Sequence, residues 1–318
     1  MSGGVCWILA DDKPGNVNPC RGLAEAVGLA TVEKRIRPRW PWSALPPWAW
    51  LAPMRAGGRG SDPLAPPWPD LLIAAGRQTV APAAAIRRLA RGRCFAVQIL
   101  NPRFALDAFD LVAPPAHDRL AGANVLATVG AINRVTPARL AAEAARVAPS
   151  VAALPAPRVA ALIGGGSRHH RMTPADAAAI GARLAALARD HGAGLMVTAS
   201  RRTGDANTRA LREALAGVAA TVWDGAGHNP YFGYLGLAEA IVVTADSVAM
   251  VSEACTTGKP VSVIDLPGGS AKLDRFHADL RARGMTRPFD GRLDSWDYPP
   301  LAEAERVAAA VRRAMDRG

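Results

Sequence analysis

The chain has 318 residues, half of them hydrophobic, and its 38 Lys and Arg outnumber 27 Asp and Glu, for a formal charge of +11. That length suits two domains of about 150 residues, and the apolar content excludes a disordered or fibrous chain. A basic balance favours an anionic partner such as a nucleotide or an acidic membrane face, although abundant Arg equally fits a GC-rich genome.

No helix-turn-helix, finger or basic helix is recognisable, so nucleic acid is not an expected partner. The four cysteines, Cys6, Cys20, Cys94 and Cys255, are scattered without a CxxC pair, which predicts buried reduced thiols rather than a metal site or disulfide framework. The opening MSGGVCWILADD enters a strand-like run almost at once, and no run reaches about 18 apolar residues. Neither a targeting peptide nor a membrane span is expected, and the expected location is cytoplasmic.

Apolar strand-like runs alternate with helical spacing from the start. Strands are expected near Val5–Ala10, Thr31–Ile36, Leu71–Ala74, Phe95–Ile99, Leu111–Ala113 and Val125–Thr128. Helices are expected near Asn18–Val27, Thr79–Arg91 and Pro137–Val147, the last with Thr136 as cap and Pro137 at its first position. The proline-rich, aperiodic stretch Ala148–Arg158 reads as a linker between a first domain (1–150) and a second (157–295).

One segment of the first half breaks the pattern. Lys34–Ser61 holds six basic residues, no acidic one, and Trp40, Trp42, Trp48 and Trp50. Trp favours membrane–water interfaces and Arg favours anionic headgroups, so one reading is a peripheral contact with an anionic membrane surface. The other is a proline-anchored loop whose tryptophans pack on their own domain, since proline hinders a regular amphipathic helix.

The second half restarts the alternation. Strand Val159–Ile163 leads to Gly164-Gly165-Gly166-Ser167, then a helix from Thr173-Pro174 to about Asp190, strand Gly194–Thr198, helix Thr203–Leu215, strand Ala220–Trp223 and a short helix near Tyr231–Leu237. Residues 241–266 then form strand, polar turn, helix and strand, one unit of a parallel sheet. A last helix spans about Leu301–Met315. The fold class expected is α/β with two doubly wound, Rossmann-like domains.

In such sheets ligands bind outside the carboxyl ends of the strands, so the loops there are the candidates. Gly165, Gly166 and Ser167 would let backbone approach a phosphate, and Ser200, Arg201 and Arg202 follow the next strand, where two arginines can hold a phosphate bidentately. Asn229, Pro230 and Tyr231 could meet a base or sugar. Asp246, Ser247 and Met250 open the helix of the 241–266 unit, where free amides suit a diphosphate, and Glu253, seven residues after Asp246, suits a ribose diol. In the first domain Asp11 and Asp12 follow the first strand and could act as general base; Arg77-Gln78, Asn101-Pro102-Arg103 and His117-Asp118 hold similar positions, which predicts a cleft between two walls of polar loops. Each has a plainer reading as a capping or surface loop, and adjacent His169-His170 suggest no metal.

The runs His117-Asp118, Gly130-Ala131, Arg134-Val135-Thr136, Ser200-Arg201-Arg202-Thr203, Asn229-Pro230-Tyr231, Thr244-Ala245-Asp246-Ser247, Ser252-Glu253-Ala254, Gly258-Lys259-Pro260-Val261 and Arg287-Pro288-Phe289 together resemble the bacterial family named after the plant elongated-mitochondria fission protein. Its members are often described as GT-B glycosyltransferases. The resemblance runs from about Asp11 to Gly291. It implies a nucleotide-sugar site, no bound metal, and a last segment (296–318) that packs on the first domain. The 241–266 unit also resembles the donor-binding unit of the transferase that adds N-acetylglucosamine to the lipid-linked peptidoglycan precursor, which places Glu253 at the ribose hydroxyls. The family's first loop carries a His and a Gln where this chain has Asn16 and Pro19, and a further His where it has Asn133. Asn cannot serve as a base, so the resemblance leaves Asp11, Asp12 or His117, or else an inactive chain.

The resulting expectation is a metal-independent glycosyltransferase that takes a uridine-type diphospho-sugar as substrate and delivers to an envelope or lipid-linked glycan. The alternatives are a non-catalytic, membrane-associated interaction protein and a nucleotide-sugar epimerase of the same fold.

Overall fold

The computed structural model describes residues 3–317. The expected first domain and the expected terminal segment therefore begin and end on residues outside that range. The chain divides into two compact units, one running to Arg134 and resuming at Ala302, the other spanning Val135–Leu301.

The first unit holds β1 (Val5–Ala10), α1 (Pro14–Val27), β2 (Ala30–Arg35), β3 (Leu71–Ala75), α2 (Val80–Leu89), β4 (Phe95–Ile99) and β5 (Leu111–Ala113). Its sheet is parallel, in the order β2-β1-β3-β4-β5. Alternation along β1 sorts the core: Cys6, Ile8 and Ala10 face the cluster holding Leu23 of α1, while Trp7 and Leu9 face the one holding Ile86 of α2. Layers on both faces explain why β1 and β3 are continuously apolar.

Two expectations need correction here. Helix α1 starts at Pro14, not near Asn18, because Pro14 suits the first helical turn and Asp11 accepts from the Lys13 amide just ahead of it. Val125–Thr128 forms only isolated bridges, Val125 to Val112 and Thr128 to Pro115. Pro114 and Pro115 have no amide to donate, so the ladder beside β5 cannot continue.

The second unit holds α3 (Pro137–Val147), β6 (Arg158–Ile163), α4 (Pro174–His191), β7 (Gly194–Ala199), α5 (Asp205–Ala214), β8 (Ala220–Val222), α6 (Tyr231–Leu237), β9 (Ala240–Thr244), α7 (Val248–Thr256), β10 (Val261–Ile264), α8 (Ala271–Ala282) and β11 (Thr286–Pro288). Its six parallel strands run β11-β10-β9-β6-β7-β8. Helix α4 has a full capping box, Thr173 accepting from the Asp176 amide while Asp176 accepts from the Thr173 amide.

The boundary between the units falls at Arg134/Val135, earlier than the expected linker. Helix α3 and the stretch 148–157 belong to the second unit for a packing reason. A Cβ on Gly233 of α6 would sit 2.4 Å from Val147 Cγ2, and one on Gly236 would sit 2.6 Å from the Leu140 carbonyl oxygen. Two glycines one turn apart thus let α6 touch the α3 backbone. Val151 and Leu154 of the proline-rich stretch are buried rather than free.

The last helix, α9 (Glu303–Met315), lies with the first unit. Its Val307, Ala308 and Val311 are fully buried in the cluster with Leu23, and Arg312 donates from Nη1 to the Ala26 carbonyl at 2.5 Å. Fully burying each valine stabilises the unit by roughly 1.5–3 kcal/mol. Replacing Gly236 with Ala should destabilise the second unit by about 1–3 kcal/mol, the usual cost of overpacking; an unchanged urea midpoint would show that the α3–α6 contact can simply open.

Candidate functional site

Each sheet reverses its winding at one gap. In the second unit the chain moves outward from β6 through β7 to β8, then outward the other way from β9 through β10 to β11. The gap between β6 and β9 is the topological switch point, where open α/β sheets place ligands.

A buried carboxylate closes this gap. Thr244 ends β9, and Asp246 lies two residues on, its side chain wholly buried. Thr244 Oγ1 donates to Asp246 Oδ1 at 2.7 Å and accepts from the Gly164 amide at 2.7 Å. Asp246 Oδ2 accepts from the Gly165 amide at 3.1 Å and pairs with Arg202 Nη2 at 2.7 Å. Arg202 Nη1 also donates to the Gly165 carbonyl at 3.3 Å, and Thr203 Oγ1 donates to the Gly164 carbonyl. The loops after β6, β7 and β9 are therefore fastened to one another. The sequence marks the Arg201-Arg202 run and Asp246 as phosphate candidates, but not the pairing of Arg202 with Asp246 that the fold brings about.

This arrangement revises the reading of the glycines. A Cβ on Gly164 would lie 2.0 Å from Asp246 Oδ1, and one on Gly165 would lie 2.2 Å from the Arg202 carbonyl oxygen. Both are required by packing against the carboxylate knot. Gly166 is exposed, and a Cβ there would meet nothing. Ser167 folds the next turn, its Oγ accepting from the His169 and His170 amides at 3.1 Å each. Ser200 shapes the turn after β7, accepting from the Arg202 amide at 3.2 Å, while Arg201 is exposed with its charge unpaired. Asp246 itself has its oxygens engaged by the protein, so it organises the loops.

A second grouping lies on α6 and α7. Ser247 caps α7 by accepting from the Met250 amide at 3.3 Å. Val251 makes the first intrahelical bond, to the Ser247 carbonyl, so helix geometry leaves the amides of Val248 and Ala249 without an intrahelical acceptor. Asn229 Oδ1 accepts from the Tyr231 amide at 3.0 Å, and buried Pro230 leads into α6. The Tyr231 hydroxyl donates to Glu253 Oε2 at 2.6 Å. Burial raises the Glu253 carboxyl to about 7 against the opposing effect of that hydrogen bond, and burial together with Glu253 raises the Tyr231 hydroxyl.

The expected base residues sit in the first unit. Its switch point lies between β1 and β3. Asp11, buried there, accepts on Oδ1 from the Lys13 amide at 3.1 Å and from Asn16 Nδ2 at 2.8 Å, with Lys13 Nζ 3.2 Å from Oδ2. Asn16 in turn packs on Gly76, the residue after β3, where a Cβ would lie 2.4 Å from its Nδ2. Asp12 is exposed between Arg35 Nε at 2.9 Å and Arg37 Nε at 2.5 Å. The Arg37 hydrogen bond first, then the charges of both arginines, hold its carboxyl below the ordinary value. Both aspartates line a cavity of about 260 Å³ together with Arg21, Glu33 and Lys34. His117 is not grouped with them: it is buried in the turn Ala116–Asp118 after β5, and three strand spacings put β5 about 14 Å from β1.

No group of three or more His, Cys, Asp or Glu among the described residues is placed to hold a metal ion, and the four cysteines are free and buried. Among the same residues no helix is long and apolar enough to cross a membrane.

The sequence model of the family described as Mitochondrial fission ELM1 matches residues 14–315. The Mitochondrial fission protein ELM1 of Arabidopsis thaliana is 34% identical over 281 residues, covering 78% of this chain and 64% of that protein; the chain thus spans less than two thirds of that relative's length. A Rickettsia prowazekii protein, RP120, is 36% identical over 92 residues, 28% of this chain and 26% of its own. Among solved structures, UDP-GlcNAc 2-epimerase from Neisseria meningitidis, bound to UDP-GlcNAc, matches with a TM-score of 0.51 at 12% identity, over 99% of this chain and all of that one. Os79 from O. sativa, in complex with UDP, matches with a TM-score of 0.53 at 12% identity, over 97% of this chain and 91% of that one. At such identities the likeness is one of fold, and the fold is GT-B-like: two α/β domains, each with a parallel sheet.

Two expectations follow for the second unit. Gly164→Ala should lower its stability by about 1–3 kcal/mol while Gly166→Ala leaves the unfolding midpoint unchanged, because only the former meets the carboxylate; equal effects would sink the packing account. The raised Glu253 carboxyl means the folded protein holds a proton there that the unfolded chain releases from about pH 4.5 upward. Its contribution to stability is therefore fully present below pH 4.5 and lost as pH rises to about 7, and Glu253→Gln should flatten that part of the pH–stability curve.

Proposed function

Starting from the fact that the chain belongs to the Mitochondrial fission ELM1 family and has a GT-B-like fold, we propose that it is a glycosyltransferase whose second unit binds a nucleoside diphospho-sugar of uridine type. The observation that carries this reading is Glu253. It stands on the second turn of α7, positioned by Tyr231, with one carboxylate oxygen not taken up by that hydrogen bond. An ionised carboxylate in such a place accepts from a ribose diol. The Val248 and Ala249 amides and exposed Arg201 supply donors for a diphosphate. Exposed Gly166 offers its backbone on the same carboxyl edge of the sheet, while the Ser167 amide is taken by the His170 carbonyl at 2.9 Å. Asp246, neutralised by Arg202, holds these loops without repelling the phosphates.

In the transfer, a hydroxyl oxygen of the acceptor forms a bond to the anomeric carbon as the bond from that carbon to the diphosphate oxygen breaks. The hydroxyl proton passes to a carboxylate, Asp11 or Asp12, and the nucleoside diphosphate leaves with the bond's electron pair. Donors preorganised toward the diphosphate stabilise that leaving charge, which is the main electrostatic task. A lipid-linked or envelope glycan is the acceptor class in this reading.

A second reading is a nucleotide-binding protein that transfers nothing. The observation favouring it is that both aspartates are engaged: Asp11 by Asn16 and Lys13, Asp12 by two arginines that keep its carboxyl a weak base. Calorimetry with uridine, cytidine, guanosine and adenosine diphosphates tests the shared premise. Uridine diphosphate should bind, at least tenfold more weakly to Glu253→Ala, with Asp11→Ala nearly unaffected; binding of none of the four would end both readings. Affinity should rise with pH through about 7 as Glu253 ionises, and Glu253→Gln should lose that dependence. Sugar release with and without added glycan acceptors then separates transfer from binding alone.

A further inference from the structure

The tryptophan-rich segment of the first unit folds as a closed lobe. The Arg39 amide donates to the Ala56 carbonyl at 2.9 Å, so the chain leaves and returns at one point. Two of its tryptophans turn inward. Trp42 Nε1 donates to the Leu51 carbonyl at 2.8 Å and Trp50 Nε1 to the Leu45 carbonyl at 3.1 Å. Trp50 and Ala56 are buried against Ala81 of α2, so the lobe is anchored and has a small core of its own.

The other two turn outward. Trp40 is 80% exposed, Trp48 72% and Leu51 84%. Among the described residues five large hydrophobics are exposed, and three of them stand on this lobe. Lone exposed apolar residues need no explanation, but several on one anchored lobe do.

The charge around them is mostly positive. The lobe carries Arg39 and Arg55 and no acidic residue, and Arg87, Arg88, Arg91 and Arg93 follow along α2 and its turn. A depression of about 420 Å³ between lobe and helix is lined by Trp48, Trp50, Ala84 and Phe104 and shares Arg87 and Arg88 with a second of about 590 Å³ that adds Arg91 and Arg93 as well as Asp70 and Asp110. Arg87 is held by Asp110 through two bonds, whereas Arg88 has no ion pair.

We propose that this lobe and the arginine end of α2 dock on an anionic lipid bilayer, with Trp40, Trp48 and Leu51 entering the boundary between headgroups and acyl chains and Arg55 and Arg88 meeting lipid phosphates. The inference stands apart from nucleotide binding in the second unit. Trp settles at membrane–water interfaces, and arginines are drawn to anionic leaflets. The aliphatic Leu51 is the most exposed of the three, and it decides against a nucleic acid, whose bases stack on aromatic faces.

The test is co-sedimentation of the whole chain with phosphatidylcholine vesicles, with and without phosphatidylglycerol. The protein should pellet with the phosphatidylglycerol vesicles, less so as salt is raised. Trp40→Ser with Trp48→Ser should abolish pelleting, and Arg55→Gln with Arg88→Gln should weaken it about thirtyfold, from about fivefold per arginine at a lipid surface. All four positions are exposed, so melting curves should match the parent's. Failure of the parent to pellet with phosphatidylglycerol vesicles would overturn the proposal. So would unchanged pelleting of the tryptophan pair variant, or capture of the parent by a single-stranded oligonucleotide and not by vesicles.

Discussion

A parallel sheet that winds outward in two directions leaves a gap where neighbouring loops depart to opposite faces, and the backbone groups in that gap must find partners. Each unit meets this demand with a buried carboxylate. Asp246 gathers Gly164, Gly165, Thr244 and Arg202 in the second sheet; Asp11 gathers Lys13 and Asn16, and through Asn16 the Gly76 backbone, in the first. An unpaired buried charge would be costly, so the arrangement holds only with all partners present. The remainder of each candidate site hangs from these two knots. Loops that carry Gly166, Arg201 and Ser247 leave the second, and Asp12 leaves the first.

The knots also change how the polar residues at the strand ends divide their work. Asp246 looks like a ligand contact in the sequence because it sits at the end of a strand before a helix. In three dimensions its oxygens are spent on the protein, and the neighbouring Ser247 is spent on capping α7. In the proposed reading the ligand-facing duties pass to groups whose own partners leave capacity: the second oxygen of Glu253, the unpaired Arg201, the exposed Gly166.

The α/β architecture of both units was legible because the inner strands β1, β3, β6 and β9 are buried on both faces and read as nearly unbroken apolar runs, and because Thr136, Thr173 and Ser247 announce their helices. Three things were not legible. Helix α8 is charged along most of its length and buries only Phe276, His277 and Leu280, so its period is faint. The true unit boundary depends on Gly233 and Gly236 accepting the backbone of α3, a contact across about ninety residues that no local pattern encodes. The split of the four tryptophans into two inward and two outward depends on which carbonyls their indoles reach, namely Leu45 and Leu51. The carboxylates were visible as candidates, while their partners Arg202 and Asn16 became meaningful only once the sheets fixed which strand ends are neighbours.

The return of α9 to the first unit has a consequence during synthesis. The first core is incomplete until Val307 and Val311 arrive, whereas every residue of the second unit has been made by Leu301. The second unit therefore has its full sequence before the first does, against the usual order in which the amino-terminal domain is complete first. Until α9 has been made, the first unit carries an uncovered apolar stripe along α1 and β1.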